Sequence, residues 1–178
     1  IRDTEALKRI VAKVQPDFIF HLAAQALVKL SYESPIETIN TNVIGTANLL
    51  EALRCLDKKV VAIMITSDKA YDNVEWKWGY RENDRLGGKD PYSASKGMAE
   101  LTIKTYFESF FHSQDSNVRL GIARAGNVIG GGDWGVDRIV PDCMRAWSRS
   151  KSVDMRSPRA TRPWQHVLEP LSGYLNLA

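Results

Sequence analysis

Tyr92-Ser93-Ala94-Ser95-Lys96 places a phenol and an ammonium four residues apart. On a helix, positions i and i+4 share a face, so the two groups project side by side. A cation next to a phenol favours phenolate, lowers the tyrosine pKa and lets it accept a proton near neutrality. The bare Y-x-x-x-K spacing is common, however, and most such pairs are plain helix surface. A second cluster, Thr66-Ser67-Asp68-Lys69, follows an apolar β-prone run. Ligands of open α/β sheets bind at the carboxyl ends of strands, where a hydroxyl, a carboxylate and an amine can bond a sugar hydroxyl and move protons. The competing reading is a turn that uses Ser67 and Asp68 for local backbone bonds. A strand-end acid/base cluster followed by a Tyr/Lys helix is much rarer than either part.

These groups need elements to hold them. Asp3 is placed to cap a helix whose stripe is Leu7, Ile10, Val11 and Val14, ended by Pro16. Residues 17–22 and 60–65 read as short buried parallel strands. Ser34-Pro35 supplies a cap and a first-turn proline for a helix running to Cys55. The aromatic stretch from Asp72 to Asp90 reads as a long ordered loop, a kind of segment that is often functional. A helix from Pro91 to Phe111, a strand from Val118 to Ala125, a glycine-rich loop over Gly126–Gly135, a helix over Val136–Arg149 and a last helix opening at Pro170 complete the rhythm. Strand and helix alternate, which predicts an α/β fold: a Rossmann-type parallel sheet with helices on both faces. Residues 1–135 read as the sheet domain with the reactive groups, and 136–178 as the start of a substrate-binding region.

The 178 residues are 44% hydrophobic and 25% charged, which excludes a disordered or collagen-like chain. There are 13 basic against 12 acidic residues up to Lys89 and 11 against 9 beyond it, too even for a nucleic-acid surface. Between Arg145 and Arg162 six basic residues meet only Asp154, which is either a solvated face or a site for a phosphorylated small molecule. No apolar run approaches the ~18 residues that span a membrane, and no export signal opens the chain. Cys55 and Cys143 have no metal spacing and predict free buried thiols in a reducing cytoplasm. His21 reads as a bonded core residue, His112 as helix surface and His166 as structural. No histidine pair has metal spacing and no G-x-S-x-G elbow is present, so neither metal hydrolysis nor serine-type acyl transfer is expected. No G-x-G-x-x-G turn follows an opening strand, as it would in a dinucleotide fold, and Gly126–Gly132 fits neither that pattern nor a P-loop. The chain starts at Ile1 without methionine, so the first two strands are expected upstream of it.

Together these stretches resemble the extended short-chain dehydrogenase/reductase (SDR) family of sugar-nucleotide enzymes, most of all its branch that dehydrates CDP-glucose. The resemblance covers essentially the whole chain. It is carried by His21-Leu22-Ala23-Ala24-Gln25, Thr41–Thr46, Thr66–Lys69, Trp78–Glu82, Asp90–Lys96, Arg124–Trp134 and Arg162–Pro170. It implies NAD as cofactor, regenerated within each turnover, and a cycle of oxidation, elimination of water and reduction. Tyr92 would take the proton from the sugar O4, Lys96 would hold the nicotinamide ribose and keep the Tyr92 pKa low, and Ser67 would bind near O4. Asp68 would be the acid for the departing O6 hydroxyl and Lys69 the base at C5, with lysine standing where related dehydratases carry glutamate. That base must lose its charge near neutral pH, which burial or the Lys96 charge would promote. Ile1, Leu22, Ala23, Ala24 and Thr41 match cofactor-lining positions. Asn127, Arg138 and Arg162 match positions that hold the substrate nucleotide and its pyrophosphate. The family also implies a homodimer or homotetramer pairing the helices over 35–55 and 91–111. The glycine fingerprint, the acidic residue that reads the ribose and most of the C-terminal substrate lobe have no counterpart in the sequence.

Three alternatives stand beside this one. Epimerases and sister dehydratases keep the Tyr/Lys pair, but epimerases have no use for an acid/base pair that eliminates water. Non-catalytic dinucleotide-binding regulators often lose the tyrosine or the lysine, and this chain has both. An inactive fragment is the third.

Overall fold

The computed structural model describes residues 1–178. Asp3 caps helix α1 (Thr4–Val14), its carboxylate accepting from the Ala6 amide at 2.8 Å. Gln15, in the left-handed region, closes the helix by donating to Val11 O at 2.9 Å. Strand β1 (Phe18–His21) follows. A six-residue helix α2 (Val28–Glu33), not predicted from sequence, then leads into α3 (Pro35–Ile39). A π-helical turn (Asn40–Ile44) joins α3 to α4 (Gly45–Arg54). Pro35 does open α3, but the Ser34 side chain makes no capping bond. Strand β2 (Val60–Ser67) reaches two residues further than its apolar run, because pairing with β3 (Val118–Ala125) continues through Thr66↔Arg124 and Ser67↔Ala125.

Between them lie a 3₁₀ turn (Asp68–Ala70), the long loop and α5 (Pro91–Tyr106) with a terminal π-helical turn (Phe107–Phe111). The three strands pair in parallel in the order β1-β2-β3, so all their carboxyl ends open on one edge. Val60, Ala62 and Met64 face α1, α4 and α5, and close a core with Val11, Leu50, Leu53, Ile103 and Phe111. Ile63 points to the opposite face. There a Cβ on Gly121 would stand 3.0 Å from Ile63 and 3.2 Å from Leu177, so the bare glycine lets α7 (Leu168–Leu177) pack closely on that face. The predicted Rossmann-type sheet with helices on both faces is borne out.

Two details correct the expectation. The glycine-rich segment is not all loop: β4 (Asn127–Ile129) pairs in parallel with β5 (Trp164–His166), which joins the two sides of the expected boundary at 135. The helix expected over 136–149 is α6 (Ile139–Trp147), and α7 opens at Leu168 rather than Pro170. The cysteines are free, but Cys55, the residue that ends α4, is exposed and Cys143 in α6 is half-buried. No helix is long and apolar enough to cross a membrane.

Candidate active site

Asp90 caps α5, accepting from the Ser93 amide at 3.0 Å and the Ser93 hydroxyl at 2.6 Å, with Pro91 at the first helical position. The capped first turn carries Tyr92, and one turn later the same face carries Lys96; both are buried. The Tyr92 amide donates to Ser31 Oγ at 3.1 Å, tying the turn to the unpredicted α2. Ser95 Oγ donates to the Tyr92 carbonyl at 2.7 Å and accepts from Asn42 Nδ2 at 2.9 Å, tying it also to the π-helical turn. Tyr92 is thus held by its backbone on two sides.

At the end of β2, Ser67 Oγ caps the 3₁₀ turn, accepting from the Lys69 amide at 3.2 Å and donating to Asp68 Oδ1 at 3.1 Å. The local-turn reading and the site reading are therefore both true of Ser67. The turn leaves Asp68 and Lys69 half-buried at the carboxyl edge.

Electrostatics bring five of the expected residues together. Burial pushes the Tyr92 phenol above its ordinary pKa. The Ser67 hydroxyl acts against that, Asp68 raises it further, Arg138 lowers it and Asp90 raises it. The direction is the reverse of the sequence expectation. Lys96 Nζ stands 6.0 Å from the Tyr92 ring centroid, and desolvation outweighs any help from a cation at that range. Burial also pulls the Lys96 ammonium below the usual lysine value, with Glu100 opposing. His21 is the bonded core residue expected: its Nε2 lies 3.0 Å from Thr46 Oγ1, whose hydroxyl donates to Asn42 O at 2.7 Å. The ring must therefore supply the proton of that bond. Burial first, and then the Lys96 charge, lower its pKa to about 4.

The remaining expected residues lie on several separate elements. Leu22 and Ala23 are exposed just past β1 and Ala24 is half-buried, while Thr41 is half-buried in the π-helical turn. Ile1 packs on Gly45 and accepts from Asn48 Nδ2 through its carbonyl at 3.1 Å. Asn127 lies in β4. Arg138 pairs with Asp133 at 2.5 Å while still reaching Tyr92 electrostatically. Arg162 is exposed and bonds only the Thr161 carbonyl, at 2.6 Å. The basic stretch before it is partly neutralised from outside: Arg145 pairs with Asp142, and Arg156 with Asp137. Two hollows, of about 250 Å³ beside Leu53 and Phe110 and about 280 Å³ beside Ile139 and Trp147, are lined by none of these residues.

Sequence reasoning gave Glu100 and Arg124 no role in the site and named Thr66 only as part of the strand-end cluster. Glu100 extends the i+4 series Tyr92, Lys96 and is almost wholly buried. Its Oε1 accepts from Thr66 Oγ1 at 2.6 Å and from Arg124 Nε at 2.7 Å. The four-residue spacing was visible, but a glutamate on a helix gives no sign of burial until its partners are placed.

The residues present suit a dinucleotide. Lys96 is 7% exposed and its ammonium makes no hydrogen bond or ion pair within the chain, leaving a charged donor free for ligand hydroxyls near His21 at the end of β1.

A family model described as GDP-mannose 4,6 dehydratase matches residues 1–173. A CDP-glucose 4,6-dehydratase of Salmonella typhimurium is 53% identical, the alignment covering 100% of this chain and 50% of that protein. A UDP-glucose 4-epimerase of Mycoplasma pneumoniae is 27% identical over 97% of this chain and 54% of its own length. Among solved structures, a UDP-glucose 4-epimerase of Thermotoga maritima superposes with a TM-score of 0.84 at 24% identity, covering 98% of this chain and 55% of that one. A dTDP-glucose 4,6-dehydratase of Streptomyces venezuelae with NAD bound gives 0.83 at 22%, covering 97% and 51%. At such identities the superpositions establish the fold. The chain spans about half the length of the curated relatives it matches.

Proposed function

The chain belongs to the GDP-mannose 4,6-dehydratase family, among the extended SDR enzymes its motifs resemble, and from that premise we propose that it is the catalytic portion of a CDP-glucose 4,6-dehydratase. The reaction is CDP-D-glucose to CDP-4-dehydro-6-deoxy-D-glucose plus water. The observation that supports it is Asp68 at the end of β2, a carboxylate that acts on the Tyr92 phenol and is followed directly by Lys69. Together with 53% identity to a CDP-glucose enzyme, it favours elimination of water over epimerisation.

NAD, when bound, supplies the acceptor and donor of hydride. Lys96 would hold its ribose hydroxyls, with Leu22, Ala23, Ala24, Thr41 and Ile1 along its length. Tyr92 removes the proton from O4 of the sugar, and Ser67 bonds the same oxygen. A 4-keto group then acidifies C5–H, Lys69 takes that proton, and Asp68 protonates the O6 hydroxyl that leaves as water. Tyr92 returns its proton to no product atom, since O4 stays a ketone. Lys69 gives its proton back to C5 as C6 is reduced, so the one proton left over is that which Tyr92 took from O4, and it makes good through solvent the one Asp68 gave to the leaving hydroxyl. Asn127, Arg138 and Arg162 would hold the nucleotide and pyrophosphate, a task that suits guanidinium forks. Ile36, Ile44, Leu101 and Phe110 are exposed on the helices of residues 35–55 and 91–111, which supports a homodimer or homotetramer formed there. The free thiols suit a cytoplasmic enzyme.

The test incubates the full-length protein and NAD separately with CDP-glucose, UDP-glucose and dTDP-glucose, and reads the alkaline absorbance of a 4-keto-6-deoxy sugar. Product from CDP-glucose alone, lost in Tyr92→Phe and Lys69→Ala, is the expected result. A ketosugar from another nucleotide moves the assignment to a sister dehydratase, and a 4-epimer without ketosugar sinks it.

A further inference from the structure

Glu100 is 2% exposed at its side chain and Arg124 15%, and their contact is bidentate: Nε lies 2.7 and 2.9 Å from the two carboxylate oxygens, and Nη2 also bonds Oε2. Burying an ion pair is a poor way to gain stability, because the desolvation of two charges offsets their attraction. What such a pair does well is fix the relative placement of the elements that carry it.

The elements here are those of the site. Glu100 sits two turns beyond Tyr92 and one beyond Lys96 on the same face of α5. Thr66, which donates to Glu100 at 2.6 Å, immediately precedes Ser67-Asp68-Lys69. Arg124 is the register partner of Thr66 at the end of β3. Its Nη1 donates to Glu82 O at 3.0 Å in the long loop, and its guanidinium stands 4.5 Å from the Tyr71 ring centroid, which in turn stacks on Tyr80 at 4.9 Å. One carboxylate thus links the Tyr/Lys helix to the acid/base turn, and its arginine links both to the aromatic loop.

We propose that Glu100 and Arg124 are positioning residues, which set the distance between Tyr92 on α5 and Ser67-Asp68 at the end of β2 and so set the rate of the reaction without touching substrate. The inference rests on the dehydratase reading for its kinetic part only.

The experiment compares full-length wild type with Glu100→Gln, Arg124→Met and the double variant. It measures unfolding, kcat and KM with CDP-glucose, and the ultraviolet phenolate titration of Tyr92 taken as the difference from Tyr92→Phe. The Ser67 hydroxyl and the Asp68 carboxylate act on the Tyr92 phenol in opposite senses, so loosening the link shifts the Tyr92 midpoint in both single variants. The kcat falls by about a hundredfold, the cost of a misplacement near 1 Å, with KM within about twofold. The double variant, with no unpaired buried charge, recovers the stability lost in the single variants but neither the rate nor the Tyr92 midpoint. Recovery of rate together with stability, or an unmoved Tyr92 midpoint in the single variants, would overturn the proposal and leave the pair a purely structural contact. Failure of wild type to make ketosugar overturns the dehydratase reading instead, while the titration still decides the positioning role.

Discussion

The amide nitrogen of Ala94 would stand 2.3 Å from a Cβ on Gly88, and the Ser93 carbonyl carbon 2.5 Å. The end of the aromatic loop is therefore seated directly on the first turn of α5, the turn that carries Tyr92. A side chain at 88 has to displace that turn. Gly88→Ala is expected to destabilise the protein by about 1–3 kcal/mol, the usual range for overpacking, and to lower kcat along with it. An alanine variant that keeps wild-type melting temperature and rate would show that loop and helix shift freely against each other.

In the proposed reaction Tyr92 is the group on which proton transfer depends. Tyr92→Phe should lower kcat by about 10²–10⁴, the range for losing a positioned acid or base, while binding of NAD persists. Ser67→Ala should move the Tyr92 midpoint further up, because the hydroxyl that favours the phenolate is removed. Difference titration against Tyr92→Phe reads the second effect without any substrate.

Lys96 is buried with its ammonium unpaired in the chain, so its charge works against the fold. Lys96→Met, of similar length and apolar, is expected to unfold at the same or a higher denaturant concentration, with a gain of up to about 1 kcal/mol. The same change should weaken NAD by about 10–100-fold, since a charge-assisted donor is lost. Calorimetric titration with NAD and urea unfolding check the two halves. A marked loss of stability would mean that Lys96 serves the fold and has no bond reserved for a ligand.

His21 makes the stability pH-dependent with a definite sign. Its pKa falls from 6.5 in the unfolded chain to about 4 in the fold. The unfolded state therefore binds the proton first on acidification. The contribution is fully present above pH 6.5 and is lost as the pH falls toward 4, amounting to about 3 kcal/mol. Urea unfolding of wild type and His21→Gln at several pH values should show wild type losing stability relative to the variant as the pH falls from 6.5 toward 4. Parallel curves over that window would show that His21 is not the group responsible.

The alternation of β-prone runs with amphipathic stripes is a local property of the chain, which is why β1, β2, β3 and α5 could be placed from residues alone. The capping signals were equally local: Asp3 and Asp90 both bond the amides that their positions implied. So was the Tyr/Lys face, since four residues of helix fix it. Helix α2 escaped because its six residues gain stability from packing on α5 through Ser31 and Tyr92, and carry no periodic stripe of their own. β4 and β5 escaped because each is three residues long and exists only when a partner 37 positions away in the register lies beside it. The Tyr92 pKa was misjudged for a related reason. Sequence supplies the neighbouring cation, but burial decides the direction, and burial is set by the elements that close over α5 from elsewhere in the chain. Residue types and their spacing determined which groups this protein brings to its site. The tertiary structure decided which of them are desolvated, which are paired, and that Glu100 and Arg124 join them, because those properties depend on distance through space, and distance along the chain does not predict it.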